Sequence, residues 1–139
     1  MKASKRGEQA PFMNGSDVRR YVIVGNGFAG TTAAEQLRKH DASCEIVLFG
    51  DEPYTLYNRI SLPPMLRRQI PEAKVMIRDR AWHDEHRIDL RLETRVERLD
   101  ATERVVYADG RAFPYDALLL ATGGRPNPAP APGGTGAEN

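Results

Sequence analysis

Tyr21-Val22-Ile23-Val24-Gly25-Asn26-Gly27-Phe28-Ala29-Gly30 is the stretch that decides the fold of this 139-residue chain. A β-branched apolar run, the composition of a buried strand, leads straight into a G-x-G-x-x-G turn. Each glycine has its own task there. Gly25 permits a tight strand-to-helix turn, Gly27 lets a pyrophosphate approach the backbone with no Cβ in the way, and Gly30 lets the following helix pack closely on the strand. The helix N-terminus supplies unpaired N–H groups and the positive end of a dipole, both favourable to an anion.

The residues on either side support this reading. Thr31-Thr32-Ala33-Ala34-Glu35-Gln36-Leu37-Arg38-Lys39 has good helix formers and a partly apolar face at Ala33, Ala34 and Leu37. A second strand is expected at Cys44-Glu45-Ile46-Val47-Leu48-Phe49, followed by Asp51 and Glu52. Glu52 stands 22 residues beyond Gly30, near the spacing of roughly 20 at which dinucleotide sites place a carboxylate for a ribose. Strand, glycine turn, helix, strand and acid in that order point to a dinucleotide.

Composition limits the alternatives. The chain is 40% hydrophobic and 28% charged, with a net charge of +1, as expected of one globular domain and giving no reason to invoke nucleic acid or a membrane. Cys44 is the only cysteine, which rules out a disulfide framework and a C-x-x-C pair. It is expected to be a buried structural thiol. No stretch has the length of an apolar membrane span, and residues 1–18 lack the apolar core of a secretory signal. The expected location is cytoplasmic.

Along the chain, residues 1–18 are expected to be a disordered leader, residues 19–125 the folded domain and residues 126–139 a Pro/Gly/Ala-rich tail. Gly50 to Pro71 reads as a loop holding one short helix around Pro63 to Arg68. Asp79 to His86 reads as a short helix with Trp82 inward, and Trp82-His83-Asp84-Glu85-His86 reads as its solvated face rather than a metal site. Ile88 to Leu92 and Arg95 to Leu99 have the pattern of half-buried strands. Arg104 to Tyr107 leads into an Asp109-Gly110 hairpin turn. Ala117-Leu118-Leu119-Leu120-Ala121 suits a parallel strand buried on both faces.

Taken together these motifs resemble the N-terminal FAD-binding part of the pyridine-nucleotide-dependent flavoprotein oxidoreductases. The similarity is strongest to the ferredoxin, rubredoxin and NAD(P)H-nitrite reductase branch. It rests on the glycine motif, Asp51-Glu52-Pro53-Tyr54 with Tyr57-Asn58-Arg59, Trp82 with Thr94-Arg95-Val96, and Tyr115-Asp116-Ala117-Leu118-Leu119-Leu120-Ala121-Thr122-Gly123-Gly124-Arg125-Pro126. The implied fold is α/β and Rossmann-like: a parallel sheet plus a small β-hairpin or meander, incomplete relative to the family.

The resemblance implies cofactor-binding residues but no catalytic side chain and no metal. Gly25, Gly27, Phe28, Ala29 and Gly30 would hold the FAD pyrophosphate. Asp51 and Glu52 would meet the adenosine ribose, with Glu52 accepting its hydroxyls. Arg59 would lie near the pyrophosphate or flavin, and Val96 would touch the adenine through its backbone. Ala121, Thr122, Gly123 and Arg125 would close the cofactor edge. NAD(P)H would be the co-substrate of complete members, whose flavin passes electrons to an acceptor such as ferredoxin, rubredoxin or a nitrite reductase centre.

Two departures stand out. Pro63-Pro64 occupies the place where some members carry a basic residue, and Tyr54 to Leu66 holds no redox cysteine. The chain is also much shorter than family members of about 400 residues, a length that implies several domains. It is therefore expected to be an N-terminal fragment or a short subunit with weak FAD binding, completed by a partner chain that supplies the NAD(P)H domain and served by an electron-carrier protein. The competing readings are a non-catalytic FAD- or ADP-binding module and a single-domain NAD(P) dehydrogenase.

Overall fold

The computed structural model describes residues 18–124; the remainder of the expected leader, Arg125 and the tail lie outside the described residues. In chain order the elements are β1 (Arg20–Val24), α1 (Phe28–His40), β2 (Glu45–Phe49), α2 (Leu62–Leu66), α3 (Arg80–Glu85), β3 (Ile88–Arg91), β4 (Val96–Asp100), β5 (Val105–Ala108), β6 (Arg111–Pro114) and β7 (Ala117–Leu120). Single 3-10 turns occur at Arg59–Ser61 and Glu72–Lys74. β3, β2, β1 and β7 form a parallel sheet in that order, and β4, β5 and β6 form an antiparallel meander.

The period-2 alternation of the strands assigns each face its layer. Tyr21, Ile23, Ile46, Leu48, Ile88 and Leu90 fall on one face by register. There they pack with Ala34 and Leu37 of α1 and Trp82 of α3. Val22, Val24, Val47, Phe49 and Leu118 fall on the other face and meet Val96, Val106, Ala108 and Phe113 of the meander. The result is three layers: helices, parallel sheet, meander. Among the described residues no helix is long and apolar enough to cross a membrane.

Local chemistry fixes the joints. Asp116 sets the register of β7 on β1 with a reciprocal pair: its carboxylate accepts the Arg20 N–H at 2.7 Å, and its own N–H donates to the Arg20 carbonyl at 2.8 Å. Asp109 and Gly110 have φ of 49° and 68°, the positive pair that a two-residue hairpin demands. The Arg38 guanidinium donates to the carbonyls of Ala42, Cys44, His86 and Arg87, tying the end of α1 to the turns before β2 and β3. In β4 a bulge between Val96 and Arg98 brings two apolar residues three apart, Val96 and Leu99, onto one face opposite Ala108 and Val106.

Two expectations need correcting. β7 is not buried on both faces: it is an edge strand of the sheet among the described residues, with Leu119 39% and Leu120 58% exposed. An apolar run reports that a strand is suited to burial, not which neighbours cover it, and α1 and the meander cover β1 and β2 more fully than β7. Nor is the Trp82–His86 run a uniformly solvated face. His83 is fully buried, its Nδ1 2.7 Å from the Asp79 carbonyl oxygen, and its Nε2 has no hydrogen-bond partner among the described residues. Trp82 is only half-buried, between the His86 ring and the Arg78 guanidinium. No three His, Cys, Asp or Glu side chains converge among the described residues.

Burial holds the His83 imidazole below its ordinary pKa. The folded state thus binds this proton less readily than the unfolded chain. Stability is full above the unfolded value of about 6.5 and falls as pH drops below it. Urea midpoints measured between pH 7.5 and 5 are expected to decline for the wild type and to flatten in His83→Gln.

Candidate functional site: a glycine turn at the carboxyl end of the sheet

β1 ends in the glycine turn at the carboxyl edge of the parallel sheet, where ligands bind in open α/β folds. The turn is pinned from both sides. The Gly25 N–H donates to the Phe49 carbonyl at the end of β2, and the Ala121 N–H donates to the Val24 carbonyl, both at 2.8 Å. Gly25 has φ of +116°, and a Cβ there would strike the Ala121 carbonyl. A Cβ on Gly30 would strike the Gly25 carbonyl. These two glycines are required by close backbone contacts within the fold.

Gly27 is different. A Cβ built on it meets nothing within 4 Å, so the fold itself does not require a glycine there. It is the N-cap of α1, without a side-chain cap, and the first turn of that helix has no acidic residue. Its unpaired N–H groups and positive dipole end therefore face the cleft without an internal counter-charge. Glycine at an open position beside such donors suits an anion that approaches closer than a methyl group allows.

The cleft has a volume of about 390 Å³. It brings together the sequence-derived residues Gly25, Gly27, Phe28, Ala29, Asp51, Glu52, Arg59, Ala121, Thr122 and Gly123. Gly30 is buried beneath it. Val96 does not line it: this residue packs from β4 against the core between sheet and meander. Arg125 lies outside the described residues.

Asn26, Tyr54 and Tyr57 also line the cleft, and their roles were not read from the sequence. The Asn26 side chain donates to the Tyr54 carbonyl at 3.3 Å and accepts the Thr31 hydroxyl at 3.1 Å. It thereby ties the glycine turn to the loop across the cleft. Its place within the motif was the available signal, but its partner is 28 residues away. Asn26→Ala strips the buried Thr31 hydroxyl of that acceptor, at a cost of roughly 1–2 kcal/mol. The expected result is a lower urea midpoint with no change in the unfolding slope.

The two acids after β2 differ in state. Asp51 is exposed and makes no hydrogen bond or ion pair with any described residue. Glu52 is engaged at both oxygens, by the Tyr57 hydroxyl at 2.8 Å and by Arg59 Nη2 at 2.7 Å. Burial, then the bond to Glu52, pushes the Tyr57 phenol up, so it remains a protonated donor.

A parallel sheet with a glycine turn, an open anion-facing helix end and a carboxylate beyond the second strand defines a dinucleotide-binding domain of the Rossmann type. Comparison with known proteins makes this more specific. The family model described as pyridine nucleotide-disulphide oxidoreductase matches residues 19–139, and the chain belongs to that family.

Among its relatives, the ferredoxin–NAD(+) reductase component of an anthranilate 1,2-dioxygenase system from Burkholderia cepacia is 43% identical over 107 residues, covering 76% of this chain and 26% of the relative. A nitrite reductase [NAD(P)H] from Bacillus subtilis is 37% identical, over 83% of this chain and 14% of its own length. The structure of a covalent putidaredoxin reductase–putidaredoxin complex superposes with a TM-score of 0.75 at 33% identity, covering 81% of this chain and 27% of that one. The chain thus spans about a quarter or less of the length of these relatives.

Proposed function

We propose that this chain grips the ADP half of FAD within an NAD(P)H-dependent flavoprotein oxidoreductase. The observation that carries the reading is the open Gly27 beside the uncapped N-terminus of α1, in one cleft with the free Asp51 carboxylate and the small residues Ala121 to Gly123. The first-turn N–H groups of α1 would hold the pyrophosphate, and Asp51 would accept the ribose hydroxyls. Arg59 would add a guanidinium at the phosphate side. A bound flavin ring would supply the redox chemistry, hydride uptake from NAD(P)H and electron release to an acceptor. This chain's own residues bind and orient; no acid, base or nucleophile among them is needed for that step.

An electron-carrier protein as acceptor is supported by the relatives, which include ferredoxin–NAD(+) reductase components. A partner segment or chain that completes the flavin site and brings the NAD(P)H domain is supported by β7. Its outer edge is unpaired among the described residues, and it presents exposed Leu119 and Leu120. An apolar edge left open is a pairing and aggregation hazard, and a further strand would remove it. Cytoplasmic location is part of the same proposal.

The experiment is a fluorescence titration of FAD with the full chain, where saturable quenching with Kd in the micromolar range is the expected result. Failure to bind FAD alongside tight NAD binding would replace this reading with that of a single-domain dehydrogenase.

A further inference from the structure

The two acids that follow β2 are neighbours in sequence but differ in the structure. Asp51 lines the cleft and makes no hydrogen bond or ion pair with any described residue. Glu52 has one oxygen on Tyr57 and the other on Arg59. We infer that Glu52 is a positioning residue, which aims Arg59 at the phosphate side of the cleft, while Asp51 alone receives the ribose. The inference rests on the dinucleotide reading above and goes beyond it by assigning the two acids different tasks.

Three features argue for positioning. First, both ends of the contact are anchored through their backbones. The Glu52 carbonyl accepts the Glu93 N–H at 3.2 Å, and the Asn58 N–H next to Arg59 donates to the Val75 carbonyl at 2.8 Å. The Asn58 side chain also accepts the Ile60 N–H, which fixes the start of the 3-10 turn.

Second, the Arg59 side chain is 72% exposed, and a long exposed arginine on its own samples many rotamers that it must give up on binding. The Glu52 carboxylate reduces that freedom before any ligand arrives. Third, a guanidinium has five N–H donors, and Glu52 takes one of those on Nη2. The others remain for phosphate oxygens. The pair is too exposed to matter much as a salt bridge for stability, so its value lies in where it holds the guanidinium.

The sign of the mutational effect separates positioning from plain charge. Removing Glu52 removes a negative charge beside the phosphate site, which by Coulomb's law alone strengthens ADP binding. If Glu52 positions Arg59, removing it weakens ADP binding instead.

The test is NMR or calorimetric titration of the full chain and its variants with ADP and, separately, with adenosine. Glu52→Ala and Arg59→Ala are each expected to weaken ADP about five- to tenfold, the size of one charge-assisted hydrogen bond. Adenosine binding is expected to be unchanged by either substitution. The double variant should be no weaker than Arg59→Ala alone, because the two residues act through one contact. Glu52→Gln, which keeps an acceptor for Arg59, should return ADP affinity to near the wild-type value.

The inference is overturned if Glu52→Ala strengthens ADP binding or leaves it unchanged. It is equally overturned if Glu52→Ala weakens adenosine as much as ADP, since Glu52 would then touch the ribose itself. Additive effects in the double variant also count against it. If wild-type protein binds no ADP at all, the dinucleotide reading fails and this assignment fails with it.

Discussion

Gly25→Ala is expected to leave little folded protein. The native φ of +116° is a conformation that L-residues rarely adopt, and the new Cβ would collide with the carbonyl of Ala121, a residue just past β7 that its own N–H ties to the Val24 carbonyl. Backbone strain and overpacking each cost about 1–3 kcal/mol. Together, roughly 2–6 kcal/mol would remove much of the 5–15 kcal/mol typical of a whole domain. Circular dichroism with a thermal melt checks this: the variant should melt far below the wild type or be unfolded at 25 °C. A near-normal melting temperature would show that β7 does not lie against the turn as described.

Gly27→Ala should do the opposite, folding well and failing to bind. Its Cβ meets no protein atom within 4 Å, so the stability cost is limited to a poorer helix N-cap, about 1 kcal/mol or less. The methyl group stands where the phosphate oxygens must approach the α1 N–H groups. Losing two such charge-assisted bonds corresponds to about 3 kcal/mol, or roughly a hundredfold in affinity. FAD or ADP titration checks the binding, and urea unfolding confirms the preserved fold. The two glycines stand two residues apart, and their substitutions should separate folding from function.

How much of this was legible in the sequence follows from how local each feature is. β1, the glycine turn, α1 and β2 were readable because period, turn chemistry and helix propensity all act within a few residues. The Asp109-Gly110 hairpin was readable for the same reason. The fate of Leu119 and Leu120 was not, because burial depends on which layers reach the sheet edge. His83 was read as solvated because the polar residues that follow it, Asp84, Glu85 and His86, masked one inward-facing position on a six-residue helix. Sequence spacing marked Glu52 as the ribose acceptor, with Asp51 beside it, but only the folded loop shows Glu52 engaged by Tyr57 and Arg59. Pairing of that loop with distant residues, as in the Tyr57–Met76 bridge, leaves no periodic trace in a sequence.

The central claim is that a dinucleotide's phosphates sit on the N-terminus of α1, with the ribose at Asp51. Amide chemical-shift mapping of the full chain during an ADP titration tests it most directly. Saturable shifts are expected to concentrate at Gly25 to Thr31, at Asp51 and at Ala121 to Gly123, and to vanish in Gly27→Ala. Shifts centred elsewhere, or a Gly27→Ala protein that binds ADP as the wild type does, would contradict it.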